Sequence, residues 1–228
     1  MSLLEVQALQ TFYGKSQALF DVQLTVEEGE VVALMGRNGM GKTTTIRSIC
    51  NLTPARSGRV LFAGRPTVGL PPHRVARLGI GLVPEGRRCF ANLTVEENLL
   101  AAARPGKWDL AQIHWLFPRL AERRSQSART LSGGEQQMLA IGRALMTNPT
   151  LVILDEATEG LAPVIRKDIW AAIRTLKQEG QSILIVDKTL SELLPVADRC
   201  TILERGQTVW QGNPETMTPD IQERFLGV

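Results

Sequence analysis

The chain has little cysteine: three residues, Cys50, Cys89 and Cys200, widely separated and odd in number. None stands in a C-x-x-C spacing, so the sequence offers neither a disulfide framework nor a zinc site, and a reducing cytosol suits it best. It also lacks any apolar run near the roughly 20 residues needed to cross a bilayer. Met1 to Glu5 carry neither the basic nor the apolar region of a signal peptide, which predicts that the chain is not exported by that route. Internal repeats and low-complexity segments are absent. Charge of one sign is not concentrated: 26 basic and 23 acidic residues are interspersed and give a net +3. That evenness gives little support for nucleic-acid binding. What remains, at 228 residues and 43% apolar, is one large domain or one domain with an inserted subdomain.

Glycine, by contrast, is abundant where it counts. Residues 36 to 43 read Gly36, Arg37, Asn38, Gly39, Met40, Gly41, Lys42 and Thr43, a complete G-x-x-x-x-G-K-[ST] loop directly after the apolar run Val31 to Met35. Its glycines let backbone N–H groups turn inward on phosphates, Lys42 places a cation near the β/γ oxygens, and Thr43 offers a hydroxyl to Mg²⁺. Chance would produce the four fixed positions in a chain this long about one time in a hundred. A helix read over Lys42 to Cys50, including Thr44, would add its N-terminal partial charge to the anion site.

Along the chain, alternating stretches over Leu4 to Tyr13 and Asp21 to Glu27 predict an antiparallel β edge. Short strands follow at Arg59 to Phe62 and Ile80 to Val83, separated by a loop rich in Gly and Pro. From Glu85 to about Arg129 helical patterns take over, opened by a capping box at Thr94 to Glu97. The basic residues Arg119, Arg123, Arg124 and Arg129 near its end read as a solvated helix face rather than an anion site. Continuous apolar runs then recur at Leu151 to Leu154 and Ile183 to Val186, around a helix over about Val164 to Gln178. Such runs belong to parallel strands covered on both faces. Cys200 to Leu203 and Thr208 to Trp210 read as a closing hairpin around Arg205-Gly206. The expected domain is therefore α/β, with residues 1–84 and 131–228 as core and 85–130 as a helical subdomain.

Two further motifs carry chemistry. Four apolar residues followed by Asp155-Glu156 deliver a carboxylate to the sheet edge where phosphates would sit, so Asp155 is read as a Mg²⁺ ligand. Glu156 is the candidate that orients and polarises an attacking water. Leu131 to Gln137, Leu-Ser-Gly-Gly-Glu-Gln-Gln, precede an apolar helix over Met138 to Met146. Ser132 and Glu135 have capping-box spacing, but a capping box does not explain Gly133 and Gly134, which serve best to bring bare backbone against another group.

With all three motifs in this order, essentially the whole chain resembles the ATP-binding subunit of an ABC transporter, a P-loop ATPase. The resemblance implies ATP and Mg²⁺ as ligands, and a dimer in which Ser132, Gly133 and Gly134 contact nucleotide held at Lys42 of a second ATPase protomer. It further implies that Tyr13 stacks on adenine, although a core aromatic is the alternative. Glu85 stands where most members have glutamine; it can still bind Mg²⁺ or water through oxygen but cannot donate a hydrogen bond when ionised. Lys188 stands at the switch-histidine position, and the only histidines, His73 and His114, lie elsewhere. A lysine there offers charge to the γ-phosphate but cannot accept a proton while charged, which shifts water activation onto Glu156.

Val83 to Arg88, Leu93 to Leu99, Gly160 to Pro163 and Phe225 to Gly227 are similar to the smaller ATPase of branched-chain amino-acid importers, and urea and amide importers share much of this pattern. The implied partners are a second ATPase chain, identical or paralogous, and membrane permease subunits that would hold it on the inner face of the cell membrane. The transported solute is not expected to touch it. A nontransport ABC ATPase and a regulatory nucleotide-binding module are the alternatives, the second because of Lys188.

Overall fold

A computed structural model describes residues 2–227 of the chain. Ten strands form one sheet, and one half of it is parallel. In chain order the elements begin with β1 (Ser2–Tyr13), β2 (Ser16–Glu27), β3 (Val31–Met35) and α1 (Lys42–Ile49). Next come β4 (Ala55–Phe62), β5 (Arg65–Pro66), α2 (Pro72–Arg77) and β6 (Ile80–Val83). The helices α3 (Val95–Leu100), α4 (Leu110–Leu116) and α5 (Pro118–Glu122) lead into α6 (Gly133–Leu145). Last are β7 (Leu151–Asp155), α7 (Pro163–Gln178), β8 (Ser182–Val186), α8 (Leu190–Leu193), β9 (Arg199–Glu204) and β10 (Gln207–Gly212).

The strand order β5-β4-β1-β2-β10-β9-β3-β8-β7-β6 places the antiparallel part at one side. Strands β9, β3, β8, β7 and β6 run parallel to one another. Every residue of β3, β7 and β8 is buried, as expected for strands covered on both faces. Because these strands are parallel, the residues that follow them all emerge at the same sheet edge. The phosphate loop after β3, Glu85 after β6, Glu156 after β7 and Lys188 after β8 are thereby collected from four distant parts of the chain.

Two expectations need correction, and a third gains its place in the sheet. The Gly/Pro-rich stretch after β4 is not all loop: Pro71 and Pro72 set the extended entry and pre-organised first turn of α2, which buries Val75. The β9–β10 hairpin turns at Arg205 (φ +47°) and Gly206 (φ +75°), the type I′ pattern that suits twisted strands. The expected hairpin is present, and β10 lies between β9 and β2 and joins the two parts. Helix α6 starts five residues before the expected Met138, because Ser132 caps it and the reciprocal bond from the Ser132 N–H to Glu135 (2.8 Å) completes a capping box.

The helical segment packs onto α6 rather than standing apart. Gly142 of α6 faces Leu99 and Ile113, which lie so close that a Cβ there would sit 3.0 Å from each. Asn98, fully buried, accepts from the Phe90 N–H and donates to the carbonyls of Phe90, Leu93 and Thr94. That side chain fixes the path between Glu85 and α3. Among the basic residues, Arg123 departs from the expected solvated face: it pairs with Glu135 at 2.7 Å and ties the end of α5 to the start of α6.

Candidate nucleotide site

The loop between β3 and α1 folds around its own lysine. Lys42 Nζ donates to the carbonyls of Gly36 (2.7 Å) and Arg37 (2.9 Å) and is almost fully buried. Burial pulls its pKa below the usual lysine value, with Glu156 and Asp155 opposing that shift. Gly41 caps α1 at φ +102°, where a Cβ would run into Leu19. Gly39 (φ +78°) faces open space. The outer loop is anchored elsewhere: Arg37 donates to the Glu223 carbonyl, and Met40 is held by the Arg205 and Gly206 N–H groups.

A cleft of about 510 Å³ opens over this loop. Asn38, Gly39, Gly41, Lys42, Thr43 and Thr44 form its floor, and Glu85, Glu156, Glu159 and Lys188 one wall. Gln17, Ala18 and Phe20 also line it. Thr43 Oγ1 donates to Asp155 Oδ1 at 3.3 Å, so the hydroxyl and the carboxylate read as metal ligands do meet. Burial raises the Asp155 pKa, opposed by the Thr43 bond and reinforced by Glu85 nearby. An all-oxygen set of Thr43, Asp155 and Glu85 fits a hard cation such as Mg²⁺.

Glu156 adopts φ +52°, a conformation uncommon for a non-glycine residue and one found at sites under functional constraint. Its N–H donates to the Val186 carbonyl, which ties the end of β7 to β8. Burial and the neighbouring Glu159 carboxyl raise its pKa to about 7, against the pull of Lys188. Lys188 Nζ lies 3.3 Å from Glu156 and 2.5 Å from Glu159. One oxygen from each of Glu85, Glu156 and Glu159 falls within 4.8 Å of the others. The Lys188 ammonium thus bridges two of these three carboxylates, in the same cleft as Lys42.

Several participants carry no motif. Glu159 is drawn in by Lys188, 29 residues away in sequence, and by its neighbour Glu156. Asp187 is buried, accepts from Thr158 Oγ1 at 2.5 Å and from the Thr189 N–H at 2.9 Å, and so sets the segment that carries Lys188. Tyr13 is 49% exposed and lies beside α1 rather than lining the cleft, where the exposed aromatic is Phe20. Burial opposes ionisation of Tyr13, but Thr44, Thr53 and Arg47 around its hydroxyl bring the pKa below the usual phenol value. Ser132, Gly133 and Gly134 are absent from the cleft's lining. Gly134 is bare for a local reason, since a Cβ there would strike Ile165 of α7.

The family pattern described as ABC transporter matches residues 19–159. The chain belongs to the ABC transporter family. It is 43% identical to the high-affinity branched-chain amino acid transport ATP-binding protein BraG of Pseudomonas aeruginosa, over 99% of this chain and all of that one. It is 36% identical to the lipopolysaccharide export system ATP-binding protein LptB of Haemophilus influenzae, over all of this chain and 98% of the relative. Among solved structures, the ADP conformation of MJ1267, an ATP-binding cassette of an ABC transporter, superposes with a TM-score of 0.81 at 26% identity, covering all of both chains. The mixed sheet and its helices are thus those of an ABC ATPase cassette, and the chain is an ATP-hydrolysing member of that family. No helix among the described residues is long and apolar enough to cross a membrane.

Proposed function

We propose that this ABC ATPase powers a membrane importer for branched-chain amino acids, and that it works as a nucleotide-sandwich dimer. The observation that carries the mechanism is the incomplete cleft: loop 36–43, Asp155, Glu156 and Lys188 converge, while Ser132 to Gly134 line no part of it. The N–H groups of Gly133 and Gly134 have no intrahelical acceptors, as at any helix start, and Ser132 is exposed. A second protomer would bring that helix end to the triphosphate. The choice of solute rests on the resemblance to BraG, at higher identity than to the exporter ATPase.

In this reading Lys42 exchanges its carbonyl partners for the β/γ oxygens, and the loop N–H groups take the remaining phosphate charge. Mg²⁺, when bound by Thr43, Asp155 and Glu85, would supply charge neutralisation at the phosphates. Glu156, with a pKa near neutrality, orients and polarises the water. Lys188 offsets the repulsion between incoming phosphate and the carboxylates. Adenine stacks on Tyr13 or on Phe20, the two half-exposed aromatics near the loop. ATP favours the closed pair, and release of phosphate reopens it, so the helical subdomain passes motion to permease subunits.

The test is reconstitution with permease subunits of a branched-chain amino-acid importer and their solute-binding protein. Leucine-stimulated ATP hydrolysis and ATP-driven leucine uptake are expected. Stimulation by urea or short amides instead would reassign the solute, and co-purification with nucleic acid or ribosomes without a permease would overturn the transport reading.

A further inference from the structure

Arg87 lies outside the cleft, yet its side chain joins segments that matter to the site. Its backbone sits at φ +57° at the centre of a γ-turn closed by the Arg88 N–H on the Gly86 carbonyl (2.8 Å), a rare and strained turn for a non-glycine residue. The turn is fastened to α6: Arg143 Nη2 donates to the Arg88 carbonyl (2.6 Å), and Cys89 Sγ to the Gln136 carbonyl (3.2 Å). From there the guanidinium lies across Gly133, the first residue of α6, so closely that a Cβ on Gly133 would fall within it. Among the described residues its one hydrogen bond, from Nη2 to the Gly160 carbonyl, is long at 3.5 Å.

This placement is electrostatically incomplete. The start of a helix already carries partial positive charge, so a guanidinium beside it is repelled. Among the described residues no carboxylate pairs with Arg87. An anion in front of Gly133 would satisfy both the helix and the arginine, and a planar fork suits phosphate oxygens. This chain's own triphosphate cleft is lined by neither Arg87 nor Gly133. The anion must therefore arrive on another molecule.

We propose that Arg87 acts in trans, placing its guanidinium on the triphosphate held at Lys42 of a second copy of this chain. The inference rests on the sandwich reading above and adds a side-chain cation to it. Arg87 then stabilises charge that grows on the phosphate oxygens during transfer, so it contributes to turnover more than to nucleotide binding. Because Glu85 lies two residues earlier, the same loop would reach the chain's own metal site and the partner's phosphates together.

Mixed dimers test this. Arg87→Asn is the informative variant, since asparagine tolerates the left-handed backbone. Alone it should bind trinitrophenyl-ATP as wild type does, with kcat lowered roughly 10- to 100-fold; Arg87→Lys should recover part of the loss. Lys42→Ala alone should be inactive. Mixing the two should restore roughly a quarter of the wild-type rate, because half the pairs are mixed and each contains one complete site. A parallel mixture of Lys42→Ala with Ser132→Arg reports on the sandwich itself. If that control recovers and the Arg87 mixture does not, Arg87 works within its own chain and the proposal fails. If neither mixture recovers, the two-chain site fails and takes this inference with it. Full activity of Arg87→Asn alone also overturns it.

Discussion

At the scale of single residues, the site depends on charges held against their preference. Lys42 is buried and hydrogen-bonded to the carbonyls of Gly36 and Arg37, and Glu156 is pushed towards neutrality by burial and by Glu159. Glu156→Gln keeps the shape and hydrogen-bonding reach but cannot polarise water as a carboxylate does. We expect ATP affinity to be retained while hydrolysis falls by about 10²-fold or more, measured by phosphate release. Unchanged turnover would remove Glu156 from the mechanism. Lys188 makes a different prediction, because its ammonium pairs with both Glu156 and Glu159, which cluster with Glu85. Lys188→Gln leaves three carboxylates facing the phosphates and should weaken ATP binding about five- to tenfold, on the order of 1 kcal/mol, in isothermal titration. Lys188→His tests the regulatory alternative, which an inactive wild type and an active histidine variant would restore.

At the scale of elements, the capping box at the head of α6 and the Asn98 knot carry the positions of Ser132 and Glu85. Burial disfavours the charge on Glu135, yet the Ser132 bonds and then Arg123 and Arg119 lower its pKa overall. A carboxyl whose folded pKa lies below its unfolded value, about 4.3, stabilises above that value and loses the contribution as pH falls through the folded pKa. The melting temperature of Glu135→Gln should therefore lie below wild type at pH 7, with the gap closing as pH falls below about 4. Asn98→Ala removes four bonds and strands buried carbonyls, and should cost about 3 kcal/mol in denaturant unfolding. These elements also show what the sequence could convey. Ser132 and Glu135 displayed their cap openly because it is a local three-residue relation, whereas α2 hid in a Gly/Pro-rich stretch whose prolines also suit a turn. Arg123 looked solvated because its partner belongs to another helix, and Glu159 had no visible role because Lys188 reaches it only through the sheet.

At the scale of the whole molecule, the parallel order β9-β3-β8-β7-β6 turns four separate strand ends into one cleft. Continuous apolar runs announced the parallel strands, but nothing local could place β10 between the two halves of the sheet. The cleft still lacks the signature helix end, and that deficit has a thermodynamic consequence. A ligand that binds one folded chain raises its stability by an amount set by ligand concentration alone, about 2.7 kcal/mol at a hundredfold excess over Kd. A ligand that closes two chains adds a dependence on protein concentration. The Glu156→Gln chain of 25.1 kDa should therefore elute near 50 kDa with Mg²⁺ and ATP, about twice the monomer mass, and as monomer when EDTA is added. Its melting temperature should rise by about 5–10 °C with ATP and climb further as the protein is concentrated. Ser132→Arg in the same background should keep the first increment, because Lys42 and its loop are untouched, and lose the second. A concentration-dependent shift that survives Ser132→Arg would mean that the chains associate through some other face, and the sandwich would have to be abandoned.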